Sequence, residues 1–208
     1  MTSFISQILN ELLQQGNNVS DLIFVLPSKR AGAYLRKELA LLVDKPIFSP
    51  EVISIEEFSE KVAQLETIDS VHTLFELYAV YKEVTPKEEL EDFENFSNWA
   101  QTLMHDFNEI DRYLIDPKKI FNYLFEIQDK NHWSLGEEQT SIVKNYLAFW
   151  RKLPEYYSKL QSNLIEKRQG YQGLVYRTAA NNIDAFAKDQ ASNYIFLGFN
   201  ALNNAEQH

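Results

Sequence analysis

Three consecutive polar residues, Ser28, Lys29 and Arg30, are well suited to contact a ligand. They follow Leu22–Leu26, a short apolar run typical of a strand buried on both faces of a sheet. Pro27 ends that strand because it has no N–H to donate, and Ser28 is a good N-cap for a following helix. The first N–H groups of such a helix, beside two basic side chains, would suit a phosphate. On the local pattern alone a solvated turn is the first interpretation, and contact with phosphate or nucleic acid is the alternative.

A fourth candidate residue, Ser54, lies in a second short apolar stretch, Val52–Ile55. Ser54 and Glu57 have the spacing of a capping box, which predicts a helix over Glu56–Gln64. A strand followed by a helix therefore occurs twice, and this order favours a parallel sheet. We expect the four candidate residues to meet at the carboxyl edge of that sheet, where two helix N-termini converge.

The densest cluster of possible metal ligands comprises His105, Asp106, Glu109 and Asp111. These residues fall between the apolar positions of a helical stripe. A solvated acidic face is therefore the first interpretation of the cluster, and a metal site is the alternative.

No other constellation of residues predicts catalysis. Asp116-Pro117-Lys118 matches the D-x-K string of PD-(D/E)xK nucleases, but those enzymes hold a metal with carboxylates on adjacent strands. Asp116 is better interpreted as an N-cap with Pro117 at the first helical position. None of the six glycines is followed by lysine, so a Walker phosphate loop is absent. We predict no catalytic residue, no metal and no cofactor.

Composition limits the possible partners. The 208 residues carry a formal net charge of −10, which argues against a surface that binds nucleic acid throughout. Between Glu83 and Asp111 there are nine acidic residues and one lysine, which would repel a phosphate backbone. The absence of cysteine excludes disulfides and cysteine–zinc sites. No apolar run reaches membrane-spanning length and the N-terminus lacks a basic signal region, so we expect a cytoplasmic protein without a membrane partner.

Hydrophobic periodicity divides the chain into three parts. Residues 1–65 hold an amphipathic helix, Ser3–Gln15, followed by the two strand–helix units. Residues 66–190 show almost only helical periodicity, and 191–208 return to the sheet with a strand, Tyr194–Leu197, that we expect to be buried on both faces. The expected fold class is thus α/β, with a small parallel sheet and a large all-helical insertion.

The insertion contains several predicted helices. Val71–Val84 forms one, Thr85-Pro86 with Glu88 has the spacing of a second capping box, and Ser134 with Glu137 that of a third. Pro154 is expected to kink or split a long helix. The clearest apolar stripe, which we expect to be mostly buried, consists of Phe93, Phe96, Ala100, Leu103, Phe107, Ile110 and Leu114.

Three separated strings together resemble one family. The first, Leu22–Ala31 with the helix through Leu39, is similar to motif Ia of superfamily I DNA helicases. The second, Ile53–Phe58, resembles the next helicase motif, with Glu56 in place of the usual histidine. The third, Ile195–Glu206, is similar to a Walker B strand.

The chain most resembles AddB-type subunits of helicase–nucleases, among them those described as inactivated superfamily I helicases. Gly198, Phe199 and Glu206 fit the AddB-type pattern, whereas Leu197 occupies the position of its aspartate. The string Leu103–Asp116 is also similar to one found in these relatives.

The resemblance implies a RecA-like, P-loop-NTPase-like sheet interrupted by a helical subdomain. It also implies a role in DNA repair and recombination within a longer polypeptide whose exonuclease-associated, PD-(D/E)xK nuclease part follows residue 208. The implied partners are single-stranded DNA, the remainder of the polypeptide and a helicase–nuclease partner subunit.

The departures from the family pattern predict a non-catalytic domain. A helicase motor needs a phosphate-binding lysine and a Walker B carboxylate, and this chain has neither. We expect an inactivated helicase domain that guides single-stranded DNA through Ser28, Lys29, Arg30 and Ser54, or that docks the rest of the complex. The main alternative is a helical protein–protein interaction module on an α/β base without DNA binding; an NTPase with an unfamiliar loop is a further one.

Overall fold

The computed structural model describes residues 3–133, 141–189 and 193–208. Within them the strands are β1 (Leu22–Leu26), β2 (Glu51–Ser54), β3 (Glu66–Thr67), β4 (Gln169–Gly170) and β5 (Asn193–Phe196). The helices are α1 (Phe4–Gln14), α2 (Lys29–Leu42), α3 (Ile55–Ala63), α4 (Ser70–Val84), α5 (Phe93–Arg112), α6 (Pro117–Trp133), α7 (Ser141–Glu166), α8 (Gln172–Asp189) and α9 (Asn204–Gln207).

The chain folds into two units, an α/β unit and a helical unit. The α/β unit comprises Met1–Ala63 and Ala179–Leu202, and the helical unit comprises Gln64–Thr178 and Asn203–Glu206. Helix α8 therefore contributes its first residues to the helical unit and its last turns to the α/β unit.

A three-stranded parallel sheet forms the centre of the α/β unit in the described part of the chain, with the strand order β2-β1-β5. The parallel arrangement that the repeated strand–helix order predicts is confirmed. Strand β1 lies in the middle and all five of its residues are buried, as its unbroken apolar run indicates.

Helices cover both faces of this sheet. On one face, Leu9 of α1 and Leu35 of α2 pack in a buried cluster with Phe24 of β1. On the other face, the ring of Phe58 of α3 contacts the ring of Tyr194 of β5 edge to face, with centroids 5.4 Å apart. The two faces alternate along each strand because successive side chains point in opposite directions.

Strand β5 differs from its sequence prediction. We expected burial on both faces, but among the described residues β5 has β1 as its single partner strand, and Phe196 is 52% exposed. An apolar run cannot by itself tell an edge strand from a central one, because pairing depends on strands far away in the sequence.

The helical unit has a core built on the predicted stripe of α5. Phe96, Ala100, Leu103, Phe107 and Ile110 are buried, whereas Phe93 and Leu114 are half-buried. Helix α7 packs against α4 and α6, and its residues Tyr156, Leu160 and Leu164 belong to the same core. The predicted burial of the stripe is thus confirmed for most of its positions.

One local prediction in the helical unit is wrong, and of the two alternatives given for Pro154 one is excluded. Thr85 does not cap a helix: a short 3-10 turn, Lys87–Glu89, follows it, and its hydroxyl lies 2.7 Å from the Tyr156 hydroxyl. Helix α5 begins instead after Asp92, whose carboxylate accepts the Asn95 N–H at 2.9 Å. For Pro154 we expected a kink or a split, and the split is excluded because α7 runs through this residue. The missing N–H costs one hydrogen bond, and burial of Leu153 and Tyr156 on either side holds the helix.

The sequence pattern also missed β3 and β4, which pair in parallel with only two residues each. Such short strands carry no measurable alternation of apolar and polar residues.

The proposed capping box of Ser134 and Glu137 lies outside the described residues. Within the ranges that the structure describes, no helix has both the length and the apolar character to cross a membrane.

Candidate functional site

The carboxyl edge of the parallel sheet brings the predicted site residues together. Leu26 at the end of β1 is in register with Ser54 at the end of β2, so the starts of α2 and α3 are neighbours. Gly198 follows β5 on the other side of β1; a Cβ at Gly198 would lie 3.9 Å from Cδ of Pro27. Residues from all three strand ends therefore share one edge.

Ser28 caps α2, as its position predicts. Its side-chain hydroxyl accepts the Ala31 N–H at 3.3 Å, and its carbonyl accepts the Gly32 N–H at 3.2 Å. The first residues of α2, Lys29 and Arg30, are exposed. Two basic side chains and a helix N-terminus thus lie together at the surface, an arrangement that attracts anions.

Lys29 is not free at this edge, because its ammonium group lies 3.0 Å from Oε1 of Glu57 on α3. The hydrogen bond to Glu57 raises the pKa of Lys29, and the nearby carboxylates of Glu56 and Glu60 act in the same direction. The pair connects the N-termini of α2 and α3. Part of the positive potential of this edge is therefore neutralised by the protein itself.

Ser54 belongs to the capping box of α3. The Ser54 N–H donates to Oε2 of Glu57 at 2.9 Å, and the Glu57 N–H donates to the Ser54 hydroxyl at 3.3 Å. The Ser54 N–H, and then the Lys29 side chain, lower the pKa of Glu57. Because Ser54 is only 1% exposed, it positions Glu57 and presents no hydroxyl at the surface.

The residues after β5 have an apolar environment. Leu197 is buried in the cluster that contains Leu9 and Phe24, and its N–H continues the sheet by donating to the Val25 carbonyl at 3.0 Å. Gly198 has φ +82°, a left-handed conformation that strongly favours glycine. Phe199 is half-buried beside Phe196. Leu197, which the resemblance aligns with the Walker B carboxylate, is therefore a core side chain in this structure.

The acidic cluster of α5 is only partly the solvated face that its sequence predicts. His105 and Asp106 are exposed, 3.9 Å apart, and Glu109 pairs with Arg112 at 3.2 Å. Asp111, in contrast, is 0% exposed, so the prediction of a solvated face is wrong for this residue. Among the described residues, no three histidine or carboxylate side chains lie close enough together to hold a metal ion.

Asp111 is the acceptor at the centre of a buried polar network. Oδ1 accepts the Tyr157 hydroxyl and Nε of Arg177, each at 2.5 Å. Oδ2 accepts the Tyr171 hydroxyl at 2.5 Å and Nε2 of Gln161 at 2.9 Å. Burial, and then the Asp111 charge, raises the pKa of both tyrosines, so both phenols stay protonated and donate. Four donors, one of which is the Arg177 cation, compensate the carboxylate, which identifies it as a structural centre.

Asp116 is the N-cap of α6, as expected. Its Oδ1 accepts the Lys118 N–H at 3.0 Å and the Lys119 N–H at 3.3 Å. These backbone hydrogen bonds lower the pKa of Asp116. The D-x-K string therefore lies at a helix start rather than on a strand.

Comparison with known proteins assigns the chain to no family: no protein-family model matches it, and no curated protein shows significant similarity to it.

Proposed function

We propose that the chain is a non-catalytic, RecA-like domain of a DNA repair and recombination helicase–nuclease, and that it guides single-stranded DNA past the carboxyl edge of its sheet. The observation that carries the proposal is the convergence of Ser28, Lys29 and Arg30 with the start of α3 at that edge. This is the edge at which open parallel sheets bind their ligands.

The contact would be electrostatic and local. Lys29 and Arg30 would meet phosphate oxygens, and the N-terminus of α2 would add its partial positive charge. Ser54 acts indirectly in this proposal, because it is buried and fixes Glu57. Since only two cations act against a net charge of −10, the isolated chain should bind DNA weakly and lose that binding steeply as salt increases.

We also propose that the chain has no ATPase activity. The surroundings of Leu197 support this proposal. A Walker B carboxylate must reach a magnesium ion beside a nucleotide, but Leu197 packs with Leu9 and Phe24 inside the α/β unit. We expect calorimetry to detect no magnesium-dependent ATP binding. Micromolar binding would contradict the proposal and favour an active NTPase.

The DNA contact is tested by titrating a fluorescent single-stranded oligonucleotide at low and at higher salt. Lys29→Ala/Arg30→Ala should lower the affinity at low salt by about tenfold or more. Lys37→Ala/Lys45→Ala removes the same charge from exposed positions of the α/β unit and is the matched control. Equal affinities for the two double variants would place any DNA contact elsewhere.

The Lys29–Glu57 pair allows a second test, in which the DNA affinity should increase instead of decrease. Glu57→Gln keeps an acceptor for the Ser54 N–H, because glutamine also serves in a capping box, and it releases Lys29 from its counter-ion. DNA affinity should then rise about twofold to tenfold at low salt. An unchanged or lower affinity would show that Lys29 does not face the DNA.

A second candidate function is a helical protein-interaction module without DNA binding. The neutralised Lys29 and the acidic stretch from Glu83 to Asp111 favour it. In that case the wild type and both double variants would show the same negligible affinity for single-stranded DNA at low salt. Docking of the remaining polypeptide or of a partner subunit would then be the main role.

A further inference from the structure

An aromatic cleft of about 500 Å³ opens in the helical unit. Four rings line it: Tyr81 of α4, Trp99 of α5, and Phe149 and Tyr156 of α7. Three glutamates that follow α4 in the chain also line it: Glu88, Glu89 and Glu91. Aromatic rings and carboxylates in one cleft are the two features that bind organic cations in proteins.

The rings are arranged at steep angles to one another. The Trp99 ring meets the Phe149 ring at 84° with centroids 5.1 Å apart, and it meets the Tyr81 ring at 72° with centroids 5.6 Å apart. The indole is also fixed, because its Nε1–H donates to Oε2 of Glu91 at 2.9 Å. Both contacts are edge to face, so neither pair of rings is stacked face to face.

The hydroxyl groups in the cleft are satisfied within the protein. The hydroxyls of Tyr156 and Thr85 lie 2.7 Å apart. The Tyr81 hydroxyl donates to the Glu89 carbonyl at 3.1 Å and accepts the Glu91 N–H at 3.0 Å. Burial raises the pKa of Tyr81 and Tyr156, so both rings stay neutral. The hydroxyls of the cleft are therefore already hydrogen-bonded, and its carboxylates are the groups that remain to attract a ligand.

The residues that line the cleft carry a net negative charge, which favours a cationic ligand. Lys152 neutralises Glu89, at 2.7 Å from its Oε2, which leaves the charges of Glu88 and Glu91 without a cationic residue in the lining. An anion would be repelled by these two carboxylates. A hydrated metal ion would gain little from the aromatic walls, whereas an ammonium group with apolar substituents matches both the rings and the charge.

We propose that this cleft binds an organic ammonium cation, with its apolar substituents against Trp99 and Phe149 and its charge near Glu91. The cation has two possible sources, which share this chemistry: a free quaternary ammonium compound, or a methylated lysine side chain of another protein. The proposal is independent of the DNA contact at the sheet edge.

The test uses the full chain and two pairs of probes. Choline is compared with its neutral isostere, in which a tert-butyl group replaces the trimethylammonium group, and binding is followed by Trp fluorescence and by calorimetry at millimolar concentrations. A peptide that contains trimethyllysine is compared with the same peptide carrying norleucine. The proposal predicts that at least one charged probe binds about tenfold or more tightly than its neutral counterpart. Preference for choline alone would identify a small-molecule site, and preference for the peptide alone a protein-recognition site.

Variants then assign the binding to the cleft. Glu91→Gln keeps an acceptor for the Trp99 indole and removes the charge, so the charged probe should bind about threefold to tenfold more weakly. Glu94→Gln removes the same charge from an exposed position of α5 outside the cleft and should leave binding unchanged. Phe149→Leu should weaken binding about threefold or more while the circular dichroism spectrum stays native.

Three results would overturn the proposal. The first is no saturable binding of either charged probe. The second is equal binding of charged and neutral probes, which would show an ordinary apolar cleft. The third is an equal loss of affinity in Glu91→Gln and Glu94→Gln, which would show only the general acidity of this surface.

Discussion

At the scale of single residues, Asp111 is the side chain on which the helical unit most depends. Its carboxylate joins α5 to α7 through Tyr157 and to α8 through Arg177. Nη2 of Arg177 also donates to the carbonyls of Ile110 and Ile115, at 2.8 Å and 2.7 Å, at the end of α5. The network thus links three helices where α5 terminates.

We predict that Asp111→Asn destabilises the protein by about 3–5 kcal/mol, because Arg177, whose side chain is only 19% exposed, loses its counter-ion and the network loses its fully buried carboxylate acceptor. The measurement is urea unfolding followed by circular dichroism. Asp106→Asn removes a charge from an exposed position of the same helix and should change stability by less than about 0.5 kcal/mol. Similar small losses for both variants would mean that the network contributes little.

The helical spacing of Asp111 could have indicated that this residue is buried, but the sequence does not predict which residues form hydrogen bonds with it. Asp111 lies four residues after Phe107, which places it on the buried face of α5 rather than between the apolar positions. Its partners could not be found in the same way, because Tyr157, Tyr171 and Arg177 lie 46, 60 and 66 residues further along the chain. Only the packing of the helices brings them together.

At the scale of secondary-structure elements, the stripe of α5 organises the helical core. Phe107 is fully buried, and its ring contacts those of Phe121 and Tyr157 edge to face, with centroids 6.1 Å and 5.1 Å away. Truncation of this ring would remove contacts with α6 and α7 together and leave a cavity.

We therefore predict that Phe107→Ala lowers the free energy of unfolding by about 3–5 kcal/mol. Tyr123→Ala on α6 removes a ring that is 60% exposed, and it should cost less than about 1 kcal/mol. Thermal and urea unfolding of the two variants beside the wild type provide the comparison. A loss below about 1 kcal/mol for Phe107→Ala would contradict the assignment of the stripe to the core.

The elements differ in how well the sequence predicted them. The long amphipathic helices and the apolar strand β1 agree with their predictions, because in these elements the residues that form the apolar pattern are also the buried residues. The candidate site was predicted less well. The positions of Ser28 and Ser54 follow from strand ends and capping boxes, but the Lys29–Glu57 pair depends on the register between β1 and β2. Register between distant strands is not encoded in either stretch alone.

At the scale of the whole molecule, the edge of the parallel sheet is the feature most relevant to association. Among the described residues β5 pairs with β1 only, and Phe196 on this strand is 52% exposed. Helix α1 packs in the cluster that covers one face of the sheet. This packing adds no second partner strand at the backbone edge of β5 among the described residues. An edge of this kind is a template for pairing with another chain.

We predict that the protein self-associates through this edge as its concentration rises. Sedimentation equilibrium of the wild type should show an average mass that increases with concentration, whereas Phe196→Lys should remain monomeric because a charge on an edge strand opposes pairing. Phe4→Lys, at a position of α1 that is 57% exposed, introduces the same charge away from the edge and should associate like the wild type. If all three proteins stay monomeric, the edge is shielded. If Phe4→Lys and Phe196→Lys reduce association equally, the effect comes from net charge, since each substitution moves the formal charge of −10 toward zero by the same amount.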